Sequence, residues 1–189
     1  LLGYPFHFPD GVYKPEVRVY PAAEYAKVSL WAAESLKRVQ NVLANPGTPL
    51  TNDNLPNVAF RGSSAQLYAA QVKMLPFMNG NGVRMISAYA QFPAAVSQYD
   101  SFYHYEGLTQ DGKYYVIVEM PVVLPVYSDG SNPGENGITY PADRVNPDEM
   151  VAYYKATTDL LNHANSDGFN PTLGQLDALV QSISVMEQK

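Results

Sequence analysis

Apolar residues recur at steps of three and four between residues 22 and 44. Tyr25, Val28, Ala32, Leu36, Val39 and Leu43 form one stripe, with Trp31 beside it. That period predicts an amphipathic helix laid on an apolar surface. Glu24, Lys27, Glu34, Lys37 and Arg38 fall off the stripe, Glu34 and Arg38 make an i,i+4 pair, and Asn45-Pro46-Gly47 ends the run. Before it, prolines at 5, 9, 15 and 21 forbid a helix, and the alternation at 16–20, with Val17 and Val19 on one face, predicts a short edge strand.

The pattern then changes to period two. Residues 67–77 alternate, with Tyr68, Ala70, Val72 and Met74 on one face and Gln71 and Lys73 on the other. Asn79-Gly80-Asn81-Gly82 is read as the turn into a strand at 83–92, whose Ile86, Ala88, Ala90 and Phe92 share a face. A second hairpin pairs 102–106 with 114–120 across Gln110-Asp111-Gly112. Its returning strand is apolar on both faces except at Glu119, which predicts a central position. A brief strand is expected at 58–60 and a surface loop at 128–137. Helical spacing returns after Asn146-Pro147, a good cap and first position, with Met150, Tyr154, Thr157 and Leu161 as the stripe. A last helix follows Asn170-Pro171, lined by Leu173, Leu176, Val180 and Ile183.

Strand, helix, antiparallel strands and two further helices predict an α+β fold. It is a single antiparallel sheet built from two hairpins, with a long N-terminal helix and two C-terminal helices packed on it. At 189 residues, with no internal repeat, the chain is read as one domain, 1–189.

Composition narrows the function classes. Twelve basic residues against 18 acidic ones, net −6 and without a basic run, argue against nucleic-acid binding. No apolar run reaches the roughly 20 residues of a transmembrane helix. Cysteine is absent, which removes disulfides, thiol chemistry and cysteine metal centres. The 15 Tyr, 15 Pro and 13 Gly, with long Asn/Gly/Pro/Ser connections, suggest a bacterial protein working outside the cytoplasm. The opening Leu1-Leu2-Gly3 suggests a chain whose N-terminal segment, secretory or membrane-anchoring, has been removed.

Candidate chemistry is sparse. Alternation places His104 and Glu106 on one strand face beside Phe102, with Glu119 on the partner strand. An imidazole and two carboxylates are the parts of an acid–base or metal-dependent hydrolase; the plainer and favoured reading is a polar, solvent-facing side of the sheet. Oxygen side chains at Asp129, Ser131, Asn132, Glu135 and Asn136 resemble a Ca²⁺ loop, but Pro133 stands where a ligand belongs, and Asn52-Asp53-Asn54 is weaker still. Tyrosines crowd the central region at 99, 103, 105, 114, 115, 127 and 140. Tyr103, Tyr105 and Tyr115 are candidates for a ligand-binding aromatic face, against simple strand packing. Asn79-Gly80-Asn81-Gly82 lacks the Lys-Ser/Thr of a phosphate loop, Gly62-Ser63-Ser64 lacks a hydrolase elbow, and His7 and His163 stand alone. No cofactor and no metal site is expected.

Residues 82–91 (Gly-Val-Arg-Met-Ile-Ser-Ala-Tyr-Ala-Gln), 102–116 and Pro121-Val122 together resemble a block in uncharacterised secreted proteins and lipoproteins of bacteria. It covers about a quarter of the chain. The resemblance implies an exported cell-envelope domain and carries no catalytic residues. The strand order is also loosely similar to the sheet of PsbP/Mog1-like domains, which speaks to shape alone. The favoured expectation is an extracytoplasmic domain that binds a protein or small ligand through an aromatic sheet face or the Pro/Gly-rich loops. A hydrolase or metal-dependent enzyme using His104, Glu106 and Glu119 is the alternative.

Overall fold

A computed structural model describes residues 14–51, 53–56, 64–97, 100–124, 138–142 and 146–187. The expected strand at 58–60, the loop around Asp129 and Glu135, and His7, Tyr99 and Tyr127 lie outside them.

The fold is α+β, with one antiparallel five-stranded sheet in the order β1-β5-β4-β3-β2. The strands are β1 (Glu16–Pro21), β2 (Ala65–Phe77), β3 (Gly80–Ala90), β4 (Phe102–Thr109) and β5 (Tyr114–Pro121). β2 to β5 form a meander of neighbours, and β1 closes onto β5 as the expected edge strand. Among the described residues the helices number four rather than three: α1 (Ala22–Val28), α2 (Leu30–Ala44), α3 (Pro147–His163) and α4 (Leu173–Gln181).

The long N-terminal helix is broken at Ser29. This residue has extended backbone, φ −164° and ψ 164°, and its hydroxyl accepts from the Ala32 amide at 3.1 Å, so it caps a new helix instead of continuing the old one. The break turns Val28 and Trp31 out of the stripe, and beyond it Val42 is buried while Leu43 is only partly so. The expected N-terminus at Asn146-Pro147 holds, with Asn146 accepting from the Asp148 and Glu149 amides. The last helix begins two residues later than its Asn-Pro signal, because Thr172 and Gln175 close a capping box.

The turns also differ in detail. Met78 and Asn79 alone form the β2–β3 turn, and Gly80 and Gly82 are strand residues. Gly82 faces Gly107 across β3 and β4, and a Cβ on either would lie 2.6 Å from the Tyr105 hydroxyl, so the pair makes room for that side chain. Gly112, at φ +69°, carries the β4–β5 turn. Beside it Asp111 accepts from Thr109 Oγ1 at 2.6 Å and the Lys113 amide at 3.1 Å, which hold its carboxyl below the usual range.

Helices cover both faces of the sheet. Under α3 and α4 lies the main core, including Tyr103, Tyr105, Val116, Val118, Met150, Leu161 and Leu176. Under α1 and α2 lies a smaller one, with Tyr25, Leu36, Val39, Tyr115 and Ile117. The alternation of β2 does not run through. A register shift between Ala70 and Lys73, centred on Gln71 at φ +55°, moves Val72 and Met74 to the α2 side, whereas Tyr68 and Ala70 stay with α3 and α4.

Candidate functional site

β4 is buried along its whole length. Its even residues, Phe102, His104, Glu106 and Leu108, point toward α2, and its odd residues, Tyr103 and Tyr105, point toward α3 and α4. His104 pairs in register with Glu119 of β5, and Tyr115 projects from β5 toward the same side. Ser35 reaches down from α2 and Arg18 across from β1. The sheet and the first helices thus converge six polar side chains on one spot.

Contrary to the expectation of a wet face, His104 and Glu106 are 0% exposed and Glu119 3%. His104 Nε2 and Glu106 Oε1 are 2.7 Å apart. The other carboxylate oxygen accepts from Ser35 Oγ at 2.8 Å and from the Tyr115 hydroxyl. Arg18 Nη2 donates to Glu119 Oε2. Phe102 lies against the imidazole, ring centroids 5.6 Å apart, and His104 Nδ1 takes no hydrogen bond among the described residues. The Tyr25 ring packs 4.8 Å from that of Tyr115, and burial, followed by the Glu106 charge, pushes its phenol well above the ordinary value.

His104, Glu106 and Glu119 are therefore brought together, but under a helix and not in an open pocket. Ser35 donates to the Glu106 carboxylate, which is held in turn by His104 and Tyr115. Among the described residues no three His, Asp or Glu side chains are arranged to hold a metal ion. What the arrangement does is satisfy one buried carboxylate with three donors and lock α2 to the sheet.

Tyr103, Tyr105 and Tyr115 are all 0% exposed, so none offers an aromatic surface. Tyr103 donates to Asp177 Oδ1 at 2.9 Å and Tyr105 to the Leu75 carbonyl at 3.1 Å. Burial raises both phenols, with Asp177 adding to the effect at Tyr103. Further tyrosines serve as staples: Tyr154 OH bonds both the amide and the carbonyl of Ala94 at 2.9 Å, Tyr153 OH accepts from the Val96 amide at 2.8 Å, and Tyr140 OH donates to the Pro93 carbonyl at 2.9 Å.

Sequence reasoning missed Arg18, Ser35, Arg84 and Asp177, each polar and each drawn inward by a partner distant in the chain. It also missed the surface made by the helix break. There Val28 is 60%, Leu30 89% and Trp31 72% exposed, on consecutive turns of a corner. A shallow depression of about 110 Å³ lies elsewhere, between the end of α2 and residues 48–54, and its Asn45 and Asn54 amides bond the local carbonyls of Asn41 and Pro49. No helix among the described residues is long and apolar enough to cross a membrane. The chain matches no family model, no curated protein and no solved structure.

Proposed function

We propose that this chain is an extracytoplasmic, cell-envelope or secreted domain that works by binding a protein partner and not by catalysis. The observation that carries the reading is the contrast between its two special regions. Among the described residues the acid–base constellation of His104, Glu106 and Glu119 is sealed under α2, while Val28, Leu30 and the sole tryptophan stand in solvent at the α1–α2 corner. Three large apolar side chains on one convex corner are costly to leave in water and suited to an interface core, where Trp is enriched. The contact surface thus moves from the aromatic sheet face to the helix corner. The exported location rests on the composition and on the resemblance of residues 82–91 and 102–116.

The test is photocrosslinking in envelope fractions of the source cells. A benzophenone amino acid at position 31 should give one discrete heavier adduct, and the same group at Lys37, exposed on α2 away from the corner, should give none. Equal adducts from both positions, or none from position 31, would reject the reading.

The enzymatic alternative has one observation in its favour, the 2.7 Å contact of His104 with Glu106, and it requires α2 to lift off the sheet. Because the protein lacks cysteine, Ser35→Cys gives a clean probe. The introduced thiol should resist a disulfide reagent until the protein is denatured; rapid labelling of the folded protein would revive the alternative.

A further inference from the structure

Among the described residues the outer edge of β1 is a second unpartnered surface, and its sequence says what fits it. β1 ends the sheet, pairing with β5 on one side and with no described strand on the other. It is six residues long, and Val17 and Val19 are 44% and 43% exposed on the face opposite Arg18. An edge of this kind, without a bulge and with its inward-pointing charge, Arg18, neutralised by Glu119 of β5, is a template for another strand.

We infer that the β1 edge pairs antiparallel with the β1 edge of a second copy, about a twofold axis at Val17. A twofold axis perpendicular to the sheet keeps each face on its own side, so residues opposite one another must share parity. Of the registers that satisfy this, the one centred on Val17 is complementary to itself. Val17 meets Val17 of the partner subunit, Glu16 faces the partner's Arg18, and Arg18 faces the partner's Glu16. Val19 packs on the partner's Pro15, which lacks an amide hydrogen and so ends the ladder. Centring on Arg18 instead opposes two guanidiniums, and like charges directly opposite are destabilising. Within one chain Glu16 and Arg18 already lie side by side, with Arg18 Nε 3.4 Å from Glu16 Oε2, on the face away from the valines. The pairing makes them half of an alternating square of four charges over a strip of apolar contacts. The product is a continuous ten-stranded sheet with an isologous interface.

Sedimentation equilibrium on the full chain is the test. Wild type should sediment at the dimer mass. Val17→Lys, which sets two ammonium groups against each other at the axis, should halve that mass with the circular dichroism spectrum unchanged. Glu16→Lys should also dissociate the dimer, since it opposes the partner's Arg18. The register is tested separately, because any introduced thiol is the only one present. Val17→Cys should form an intermolecular disulfide in near-complete yield under mild oxidation, because directly opposed Cβ atoms are within disulfide reach. Val19→Cys should not, because it faces a proline. A monomeric wild type, a dimer that survives Val17→Lys, or crosslinking through position 19 in place of 17 would each overturn the inference.

Discussion

At Glu106 donors and acceptors balance: two carboxylate oxygens accept from His104, Ser35 and Tyr115, and every partner is itself buried or nearly so. The same economy holds at Tyr103, Tyr105 and Tyr115, whose rings fill the cores while their hydroxyls find a carbonyl or carboxylate. Buried phenols of this kind make a pH prediction. Burial raises Tyr25, Tyr103 and Tyr105 above the ordinary phenol value of about 10. A group raised in the folded state contributes stability that is fully present below its unfolded value and is lost as pH climbs above it. The protein should hold its fold to about pH 10 and weaken beyond it. Absorbance at 295 nm should show these phenols ionising only as the circular dichroism signal collapses, and Tyr105→Phe should remove one chromophore from that late step. If all 15 tyrosines titrated reversibly in one ordinary step with the fold intact, the burial argument would be wrong. The hidden position of His104 and Glu106 was only half legible. A polar residue at alternate positions reads as solvent-facing, yet β5 announced itself as central through its two apolar faces. Its hairpin partner, carrying a further strand on the other side, had to be central as well.

Among the elements, local signals did best where the chain governs itself: the hairpins, the edge strand and the cap at Asn146 all follow from short-range chemistry. They failed where tertiary contacts decide. The β2 register shift at Gln71 is such a case, since nothing in its neighbours calls for a left-handed backbone. The structure supplies the reason. Gln71 Nε2 donates to the carbonyls of Leu161 at 2.8 Å, Ala164 at 3.1 Å and Asn162 at 3.3 Å, and its amide donates to Asn162 Oδ1 at 2.6 Å. A side chain in a strand thus caps the C-terminus of α3, whose last carbonyls lack partners within the helix. A left-handed non-glycine residue costs about 1–2 kcal/mol, and each hydrogen bond returns about 0.5–1.5 kcal/mol. The two side-chain hydrogens, shared among these three carbonyls, offset the strain at about 1 kcal/mol each. Gln71→Ala should therefore cost about 2 kcal/mol in urea unfolding. Gln71→Gly, which loses the cap but accepts the backbone, should cost less and still destabilise. A glycine variant more stable than wild type would show that strain, not capping, dominates this position.

At the scale of the molecule the sheet is a middle layer, and among the described residues a polar node pins a helix to each of its faces. Glu106 and its donors hold α2 on one side; on the other, Asp177 of α4 accepts from Arg84 Nε at 3.1 Å and from the Tyr103 hydroxyl at 2.9 Å, with Lys73 at 3.5 Å. Arg84 also donates to the Gln71 carbonyl, so this second node ties α4 to β2, β3 and β4 at once. None of this was legible in the sequence, because Arg84 and Asp177 are 93 residues apart and each alone reads as a surface charge. The node is nearly dry, with the Arg84 side chain 6% and that of Asp177 13% exposed. Removing one member of such a pair strands the other, at about 3–5 kcal/mol when burial is complete, while replacing both with apolar groups of similar volume is often nearly neutral. Asp177→Asn should accordingly lower stability by about 2–3 kcal/mol, the residual exposure trimming the full cost. Arg84→Met combined with Asp177→Leu should be more stable than either Asp177→Leu or Arg84→Met alone. The comparison needs only urea midpoints at constant slope, which also reports whether the layers unfold together. Strictly additive losses would mean that the two charges do not depend on each other and that α4 is held by its apolar stripe of Leu173, Leu176 and Val180 alone.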